Sequence, residues 1–484
     1  MAPELALALE HPTLRDQRVS KAGRANACWL GACCAALLCW GGCGAPAFAQ
    51  TDFGLGYTLT HDSNVKRSET APQSDYTEQF FAGLTYNERS ADLTARVVAQ
   101  AERRHFVRNS FDDDTGFFFD GLGVWTISPR FFTWTVQDVH RELNSNPRDP
   151  ATPATLQKTN SFSTGPDFSF RWDAANTPVI GARYGRFRVY GAESGPAPGD
   201  SDRYALYAQW LHQISTPSVL SLNSAATRIN FDPQALYTKI SREDAFLRYD
   251  YSQLTVRQTA DVGATRMAQS GGQIGAQNYS GRLLRYFAQW ARTSQSALRI
   301  FLADQISDTY SDMIPDFSVP TLPSIRGEAA AAPLTVSSFF QPDIYHSRRS
   351  EFTYTTQSEF FLYSLQGHLR NVDYKTLDQD YKEKGARASV SWLFSIETQA
   401  YAYTQYVKRV FLSNDERDAD RDMAVGLLYQ LSRSSSLRLE AGRQERNSNL
   451  QNTGQSSGPS FVDRRVMLVL GYSTGTLFSP QSRR

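Results

Sequence analysis

The sequence predicts an all-β protein, a transmembrane antiparallel up-and-down β-barrel of about 18–20 strands. Three observations predict it. Apolar and polar residues alternate through most of the chain, the connections between these segments are alternately long and short, and tryptophans cluster beside the short ones. Alternation with a period of two is typical of a strand that is covered on one side only. Long loops outside and short turns in the periplasm are the pattern of bacterial outer-membrane barrels.

Residues 1–49 are predicted to be an export signal rather than part of the fold. Basic residues between Arg15 and Arg24 precede an apolar stretch that ends in Ala47-Phe48-Ala49, a small-x-small cleavage pattern. Residues 50–484 then form the mature barrel. A lipoprotein cleaved before Cys33 is the alternative, because residues 30–33 resemble a lipobox.

Composition excludes several other classes of protein. All five cysteines lie in the leader, so no disulfide framework or thiolate metal site is expected, and no cofactor. The net charge is +1, and it falls to zero once the leader's four basic and three acidic groups are removed, which argues against nucleic-acid binding. No mature apolar run approaches the length of about 18 residues that marks a membrane-spanning helix.

The strand pattern is clear at both ends of the mature chain. In residues 53–60, Phe53, Leu55, Tyr57 and Leu59 share one face while glycine and threonine occupy the other. Residues 466–472 place Val, Leu, Leu and Tyr on one face in the same way. Segments of this kind recur roughly every 22 residues, which is the spacing of barrel hairpins and gives about 20 strands.

The connections alternate in length along the chain. Short turns such as 128–130, 215–218 and 432–436 separate longer polar loops, and an even strand count places both termini in the periplasm. The longest loop, 307–347, is the candidate plug or constriction; a disordered surface loop is the alternative. Residues 473–484 are expected to form a periplasmic tail. The predicted outer loops are 61–75, 103–113, 143–159, 191–201, 231–242, 268–278, 307–347, 373–382, 412–420 and 447–462.

The mature tryptophans all lie within a few residues of a short turn. Amphipathic rings prefer the membrane–water interface, so this placement predicts a periplasmic aromatic girdle. A general preference of aromatic residues for strands explains their presence but not their position. The predicted girdle residues are Trp125, Trp134, Trp172, Trp210, Trp290 and Trp392.

Strand parity also predicts which charged side chains face the lumen. Five carboxylates, Asp92, Glu102, Asp250, Asp261 and Glu440, share the polar face with a larger number of arginines. An excess of lumenal arginine indicates tolerance of anionic solutes such as acidic sugars; the alternative is that arginine–carboxylate pairs only brace a wet wall. The arginines predicted to face the lumen are Arg96, Arg171, Arg183, Arg248, Arg257, Arg285, Arg299, Arg370, Arg387 and Arg438.

No convincing catalytic or metal site is visible. Residues 454–458 match the G-x-S-x-G pattern, but a nucleophile elbow needs a strand before it and a helix after it, and this segment lies in a polar loop. Gly199-Asp200-Ser201 resembles a G-D-S block in a similar loop. The mature histidines are scattered, without the close spacing of metal ligands. The chain is therefore not expected to be an enzyme.

The mature chain resembles the outer-membrane β-barrel proteins encoded beside exopolysaccharide and PEP-CTERM/exosortase loci. The features that carry the resemblance are the leader end at 47–50, the polar stretch 60–64, and hairpin segments such as 249–252 and 425–429. The resemblance implies a role in secreting or assembling extracellular polysaccharide. One departure is that the chain ends at Arg484, not on an aromatic residue.

The functional hypothesis is therefore a porin-like conduit in the outer membrane that takes part in exopolysaccharide secretion or assembly. Its expected partners are outer-membrane lipid, polysaccharide and periplasmic export components, with no nucleic acid. A structural or adhesive surface barrel acting through its outer loops is the first alternative. An outer-membrane hydrolase is the second.

Overall fold

The structure, a computed structural model, describes residues 49–474 except 145, 147, 191–199, 232–238, 272–274, 294, 310–342 and 450–458. These residues form twenty β-strands of 13 to 17 residues. The strands are β1 Gln50–Asp62, β2 Asp75–Arg89, β3 Leu93–Phe106, β4 Asp114–Ser128, β5 Phe132–Asn144, β6 Leu156–Ser169, β7 Asn176–Tyr190, β8 Ser201–Ser215, β9 Ser218–Phe231, β10 Lys239–Ser252, β11 Val256–Ser270, β12 Gln277–Thr293, β13 Ser296–Asp308, β14 Ile344–Gln357, β15 Phe361–Tyr374, β16 Tyr381–Leu393, β17 Thr398–Phe411, β18 Arg417–Gln430, β19 Ser435–Ser448 and β20 Phe461–Ser473.

Every strand pairs antiparallel with its neighbours in sequence, and β1 pairs with β20, so the sheet closes on itself. Closure leaves no sheet edge with unpaired backbone groups, which is the condition for a sheet to cross a bilayer. The closing ladder joins Gly54–Asp62 to Arg465–Ser473 and is shorter than the β1–β2 ladder, which uses all of β1. The predicted fold class and strand number are confirmed.

The two faces of the sheet differ sharply. Residues paired across antiparallel strands share a face, and one face carries exposed apolar side chains such as Leu206 and Val262, which are 65% and 61% exposed. On the polar face, Arg465 of β20 donates to Tyr403 of β17, three strands away, at 2.7 Å. Side chains that far apart around a sheet meet only on its concave side, so the polar face lines the lumen and the apolar face lies outside.

The connections alternate as the sequence predicts. Even-numbered strands are followed by turns of two to six residues, and each connection after an odd-numbered strand is longer than the turns on either side of it. Small register shifts precede the short turns after β4, β8 and β12. Strands of this length exceed the roughly 9–11 residues that span a bilayer. Their ends therefore extend beyond the apolar band.

Several predicted segments fall partly or wholly outside the described residues. Residues 307–308 belong to β13 and 344–347 to β14, so the predicted plug loop is shorter than expected, and its residues 310–342 lie outside the described ranges. Residues 1–48 and 475–484 also lie outside them, and the export signal and the tail stay predictions. No helix in the described ranges is long and apolar enough to cross a membrane.

Candidate functional site in the barrel lumen

The strand register places most of the predicted arginines on the polar inner face. Arg171 differs: it lies in the exposed turn after β6, where its Nε donates to the carbonyl oxygen of Asp173 at 3.3 Å. Asp92 also lies in a turn, between β2 and β3. The arginines on the inner face are Arg96, Arg183, Arg248, Arg257, Arg285, Arg299, Arg370, Arg387 and Arg438.

A cross-strand ion triad spans β10–β12. Asp261, 2% exposed, accepts hydrogen bonds from Nε and Nη2 of Arg248 at 2.6 and 2.8 Å, and Nε of Arg285 lies 3.0 Å from Oδ2, the oxygen that accepts from Nη2. Both guanidinium groups lie over the ring of Phe246, at 5.6 and 5.3 Å. Register explains the triad, because Asp261 is directly opposite each arginine on the neighbouring strands. A bidentate pair of this kind holds the wall rigidly.

A second buried group spans β5–β8. Nη2 of Arg183 donates to Asp167 at 2.7 Å and to Thr135 at 3.3 Å, and its guanidinium lies 5.4 Å from the centre of the Tyr207 ring. The hydroxyl of Tyr207 donates to the other oxygen of Asp167. Arg183 is thus held by its surroundings and braces the wall.

A third group lies near the outer end of β15–β17. Glu383 accepts from Nε of Arg409 at 3.0 Å, and one of its oxygens lies 3.0 Å from Nε2 of His368. The three side chains are at most 3% exposed. Alternation within one strand does not single out Glu383 or Arg409, because it predicts which face a side chain occupies but not which residue lies opposite it on the next strand.

Other inner arginines have no carboxylate partner among the described residues. Arg96, Arg257 and Arg438 form no ion pair there and lie within a few residues of the strand ends beside the short turns. Nε of Arg438 is buried without a hydrogen-bond acceptor. Arg387 lies 4.8 Å from the centre of the Tyr403 ring. Such guanidinium groups can donate to an anionic or hydroxyl-rich solute in the lumen.

The β5–β6 loop crosses the outer mouth of the barrel. Nε of Arg148 in this loop lies 3.2 Å from a carboxylate oxygen of Glu416, whose side chain is fully buried in the β17–β18 loop. The guanidinium also lies 4.6 Å from the centre of the Phe411 ring. The two loops are eight strands apart around a twenty-strand barrel, so the contact bridges nearly opposite walls. Among the described residues this loop narrows the outer mouth, while the predicted constriction at 307–347 falls mostly outside them and stays a prediction.

Further contacts fix this loop on both sides. Nη1 of Arg446, on β19, donates to the carbonyl oxygen of Arg148 at 2.7 Å. Within the loop, the Asn146 amide donates to Asp149 at 3.0 Å. Burial raises the pKa of Asp149, while the hydrogen bond from Asn146 and the charge of Arg446 oppose that rise. These long-range contacts could not be predicted from residues 143–159, since nothing in that segment distinguishes an inward loop from an outward one.

Apolar side chains also line the lumen beside the outer mouth. Tyr345, Val372, Tyr381 and Phe411 form one buried cluster on β14–β17. A second cluster extends over β5–β14, with Ile240 and Met267 at its centre, both fully buried. Together with the crossing loop, these clusters narrow the outer half of the lumen.

The tryptophans lie close to the short turns, on the apolar face. Trp125 and Trp134 are paired across β4 and β5, and Nε1 of Trp134 donates to Thr164 at 2.8 Å. Trp172 lies in the β6–β7 turn and is 72% exposed. The girdle role stays a prediction. The others, each about half exposed on the outer face, are Trp210, Trp290 and Trp392.

The possible hydrolase motifs gain no support. The whole G-x-S-x-G segment, 454–458, and Gly199 lie outside the described residues. Ser201 begins β8 and is buried, and Asp200 accepts from Arg188. No group of three potential metal-ligating residues occurs in the described part of the chain.

Comparisons with solved structures find similar barrels. The copper transporter OprC is 10% identical, with 89% of this chain and 81% of that chain covered and a TM-score of 0.44. The FrpB iron transporter from Neisseria meningitidis (F5-1 variant) is 8% identical over 88% and 82%, with a TM-score of 0.45. OccK2 (OpdF) from Pseudomonas aeruginosa is 10% identical over 88% and 98%, with a TM-score of 0.38.

No protein-family profile and no curated protein matches the chain. The likeness to solved structures concerns architecture alone. The fold is that of an outer-membrane β-barrel, and its function has to be argued from the lumen.

Proposed function

We propose that this protein is a porin-like conduit in the outer membrane, narrowed at its outer mouth by the β5–β6 loop, which takes part in the export of an extracellular polysaccharide. The observation that carries the proposal is the inner wall. Twenty strands enclose a cylinder roughly 40 Å across between backbones, if circular, which is too wide for wall side chains alone to fill. That wall carries arginines, such as Arg257 and Arg438, without carboxylate partners among the described residues.

The link to polysaccharide is supported by the chemistry of the wall. Guanidinium groups and tyrosine hydroxyls donate hydrogen bonds to sugar hydroxyls and to uronate carboxylates. The hydroxyl of Tyr403, near Arg387 and Arg465, belongs to such a surface. An acidic polymer passing these groups exchanges one set of charge-assisted hydrogen bonds for the next.

The test is flux through liposomes that contain the purified protein. We expect swelling with short uronate oligosaccharides to be faster than with neutral oligosaccharides of equal length, and replacing Arg257 and Arg438 by glutamine to abolish that difference. Planar-bilayer conductance gives a second readout. Absence of both flux and conductance, even after deletion of residues 146–155, would contradict a conduit.

One observation favours a second candidate function. Several apolar side chains at the outer mouth, including Ile240, Met267 and Phe411, are fully buried, which suits a closed barrel that acts through its outer loops. A deletion strain would distinguish the two functions. Undiminished polymer export with lost surface attachment supports the structural barrel, and lost export supports the conduit.

A further inference from the structure

The outer, membrane-facing wall carries a group of cations on β16–β18, just below the outer rim. Lys384 of β16 and Lys408 of β17 lie directly opposite each other in the antiparallel ladder, so both side chains are on one face. Lys382 shares that face on β16, and Arg421 of β18 lies opposite Tyr406 of β17. These four residues, Lys382, Lys384, Lys408 and Arg421, are called the cationic patch.

Register assigns the cationic patch to the outside of the barrel. Glu383 and Arg409 contact each other on the lumenal face. Lys382 and Lys384 flank Glu383 in the sequence, and Lys408 precedes Arg409, so these three lysines point to the opposite, outer face. On β16, even-numbered residues continue down the same face to Trp392, which is 45% exposed. The cationic patch therefore stands above the apolar surface that meets lipid.

The carboxylates of these strands do not neutralise the cationic patch. Glu383, Asp418 and Asp420 lie on the inner face of the same three strands, behind the sheet. No ion pair of Lys382, Lys384 or Lys408 occurs among the described residues. On the outer face of neighbouring β19, Glu445 is opposite Arg421 and 2.9 Å from Arg443, and it interacts with the charges of both, so Arg421 is partly offset whereas the three lysines are not.

Directly opposed like charges destabilise a ladder. The Lys384–Lys408 pair is therefore unfavourable in isolation and becomes favourable when an anion lies between the two ammonium groups. By contrast, Arg282 and Arg348 on the outer face of β12 and β14 both lie near one carboxylate, Asp304. The outer face therefore provides a carboxylate for its arginines on β12–β14 but none for its lysines on β16 and β17 among the described residues.

The height of the cationic patch indicates what the anion is. Lys384 and Trp392 are eight residues apart on β16, about 27 Å along the strand at about 3.4 Å per residue. A strand tilt of about 40° reduces this to about 21 Å along the membrane normal. The apolar band of such barrels is about 25 Å tall with aromatic residues at its lower border. Lys384 therefore lies about 4 Å below the upper border of that band, and its long side chain can extend to the outer headgroups.

We propose that Lys382, Lys384, Lys408 and Arg421 form a binding site for the phosphate groups of an outer-leaflet lipid. The ammonium groups of Lys384 and Lys408 hold one phosphate between them. Arg421, 5.8 Å from the centre of the Tyr406 ring, and Lys382 contact the rest of the headgroup. The lipid's acyl chains lie along the small and apolar residues below, Ala386, Ala388 and Val390 of β16.

The experiment uses the full mature chain, folded in detergent, and compares binding of bis-phosphorylated lipid A with binding of the same lipid after dephosphorylation, by native mass spectrometry and titration. We expect Lys384→Gln/Lys408→Gln to weaken binding of the phosphorylated lipid tenfold or more. The matched control, Arg282→Gln/Arg348→Gln, stays within twofold of the wild type. Lys384→Arg/Lys408→Arg retains binding.

Equal binding of both lipids by the wild type overturns the proposal, as does unchanged affinity in the glutamine variant. Inorganic phosphate is the competitor that separates a lipid site from a free-phosphate site, and displacement of lipid A by an equal concentration of it overturns the lipid assignment. Heat-modifiable gel mobility establishes that each variant is folded before binding is measured. If the glutamine variant fails to fold, the comparison of phosphorylated with dephosphorylated lipid on the wild type still decides the proposal.

Discussion

At the scale of single residues, the lumen is organised by which charges lie directly opposite each other. Glu383 is the most enclosed example, since it contacts both Arg409 and His368 and all three are almost completely buried. A buried pair of this kind is a weak source of stability, but breaking it leaves a charge without a partner in a medium of low dielectric constant.

We therefore expect Glu383→Gln to lower the free energy of unfolding by about 3 kcal/mol, because the charge of Arg409 loses its counter-ion. Urea titration of the folded barrel in lipid measures the change. The matched control is Asp120→Asn, which removes a carboxylate 3.6 Å from Arg141 on the same wall, with both side chains more than one-third exposed. Its effect should stay below about 1 kcal/mol. Equal losses in the two variants contradict a special role for burial.

The backbone at Gly165 of β6 is the second residue-scale feature. A Cβ there would lie 1.9 Å from the carbonyl oxygen of Ala182 on β7, which is backbone and cannot rotate away. At Gly123 of β4, the nearest atom to a new Cβ is the Val136 carbonyl oxygen at 4.0 Å. Both glycines lie within strands, but only Gly123 has room for a Cβ atom.

Gly165→Ala should destabilise the barrel by about 1–3 kcal/mol, since the β6–β7 ladder must shift to admit the methyl group. Gly123→Ala should be neutral or slightly stabilising. Denaturant midpoints of the two variants give the comparison. A folded Gly165→Ala protein with an unchanged midpoint would show that the ladder yields at little cost.

How far residues can be predicted from the sequence depends on periodicity. A period of two assigned Arg248 and Asp261 to one face, and register makes them a pair. Periodicity ends where a strand ends, so Arg171 falls in a turn instead of on the wall. Periodicity also does not show which residues of neighbouring strands are paired. The cationic patch and the Glu383 group are therefore visible only in the strand register of the structure.

At the scale of elements, the important connection is the β5–β6 loop. Loop length favours residues 307–347 as the constriction, since a longer chain reaches further, and that prediction stays open because residues 310–342 lie outside the described ranges. The β5–β6 loop crosses the mouth because of the partners it finds: Arg148 reaches the buried Glu416 and the Phe411 ring, and its carbonyl oxygen accepts from Arg446. Such partners lie hundreds of residues away in the sequence and leave no local pattern.

Arg148→Ala should loosen the crossing loop and raise single-channel conductance severalfold, because it removes both the ion pair and the ring contact. The matched control is Arg108→Ala in the β3–β4 loop, which removes a hydrogen bond to Ser74 and no contact across the mouth. Planar-bilayer recordings compare the two. Identical conductance in Arg148→Ala and the wild type would mean that the loop does not limit flow.

Asp149 gives the same loop a dependence on pH. Burial raises its pKa in the closed position, so the closed position binds the proton more tightly than an open one. Closure is then most stable below the ordinary aspartate pKa of about 3.9 and weakens as pH rises through the raised pKa. The neighbouring charges that modulate this are Arg148, Glu416 and Arg446.

We expect conductance to increase as pH rises above about 4, and Asp149→Asn to remove that dependence. Asp113 in the β3–β4 loop is the control, because its hydrogen bond with His105 lowers the pKa of that carboxyl. Asp113→Asn should leave the profile above pH 4 unchanged. A flat wild-type profile, or one that falls with pH, contradicts the argument.

At the scale of the whole molecule, the sequence predicts the architecture well. Alternating apolar residues, such as Val466 to Tyr472, require lipid on one side and a polar space on the other, and only a closed sheet satisfies the backbone there. Twenty strands and alternating loop lengths follow from the same counting. The ion groups and the crossing loop inside the barrel could not be predicted in this way, because they depend on contacts between residues far apart in the sequence.

The predicted aromatic girdle can be tested on the intact barrel. Trp125, Trp210, Trp290 and Trp392 face outward beside the short turns, so we expect phospholipids brominated close to the headgroup to quench tryptophan fluorescence more than those brominated at the chain ends. Trp172→Phe is the control, because Trp172 lies in a turn and should contribute least. Stronger quenching from the bilayer centre would place these rings elsewhere.

The short ladder between β1 and β20 makes the junction of first and last described strands a seam. Gly56 is directly opposite Gly471 there, so part of the seam is held by backbone hydrogen bonds with no side chain to reinforce them. The barrel cannot close until β20 pairs with β1. Without β20, β1 and β19 are edge strands whose unpaired backbone groups can pair with other chains. The sheet is closed only when β1 and β20 pair, so damage confined to residues 461–473 would leave the other nineteen strands as an open sheet.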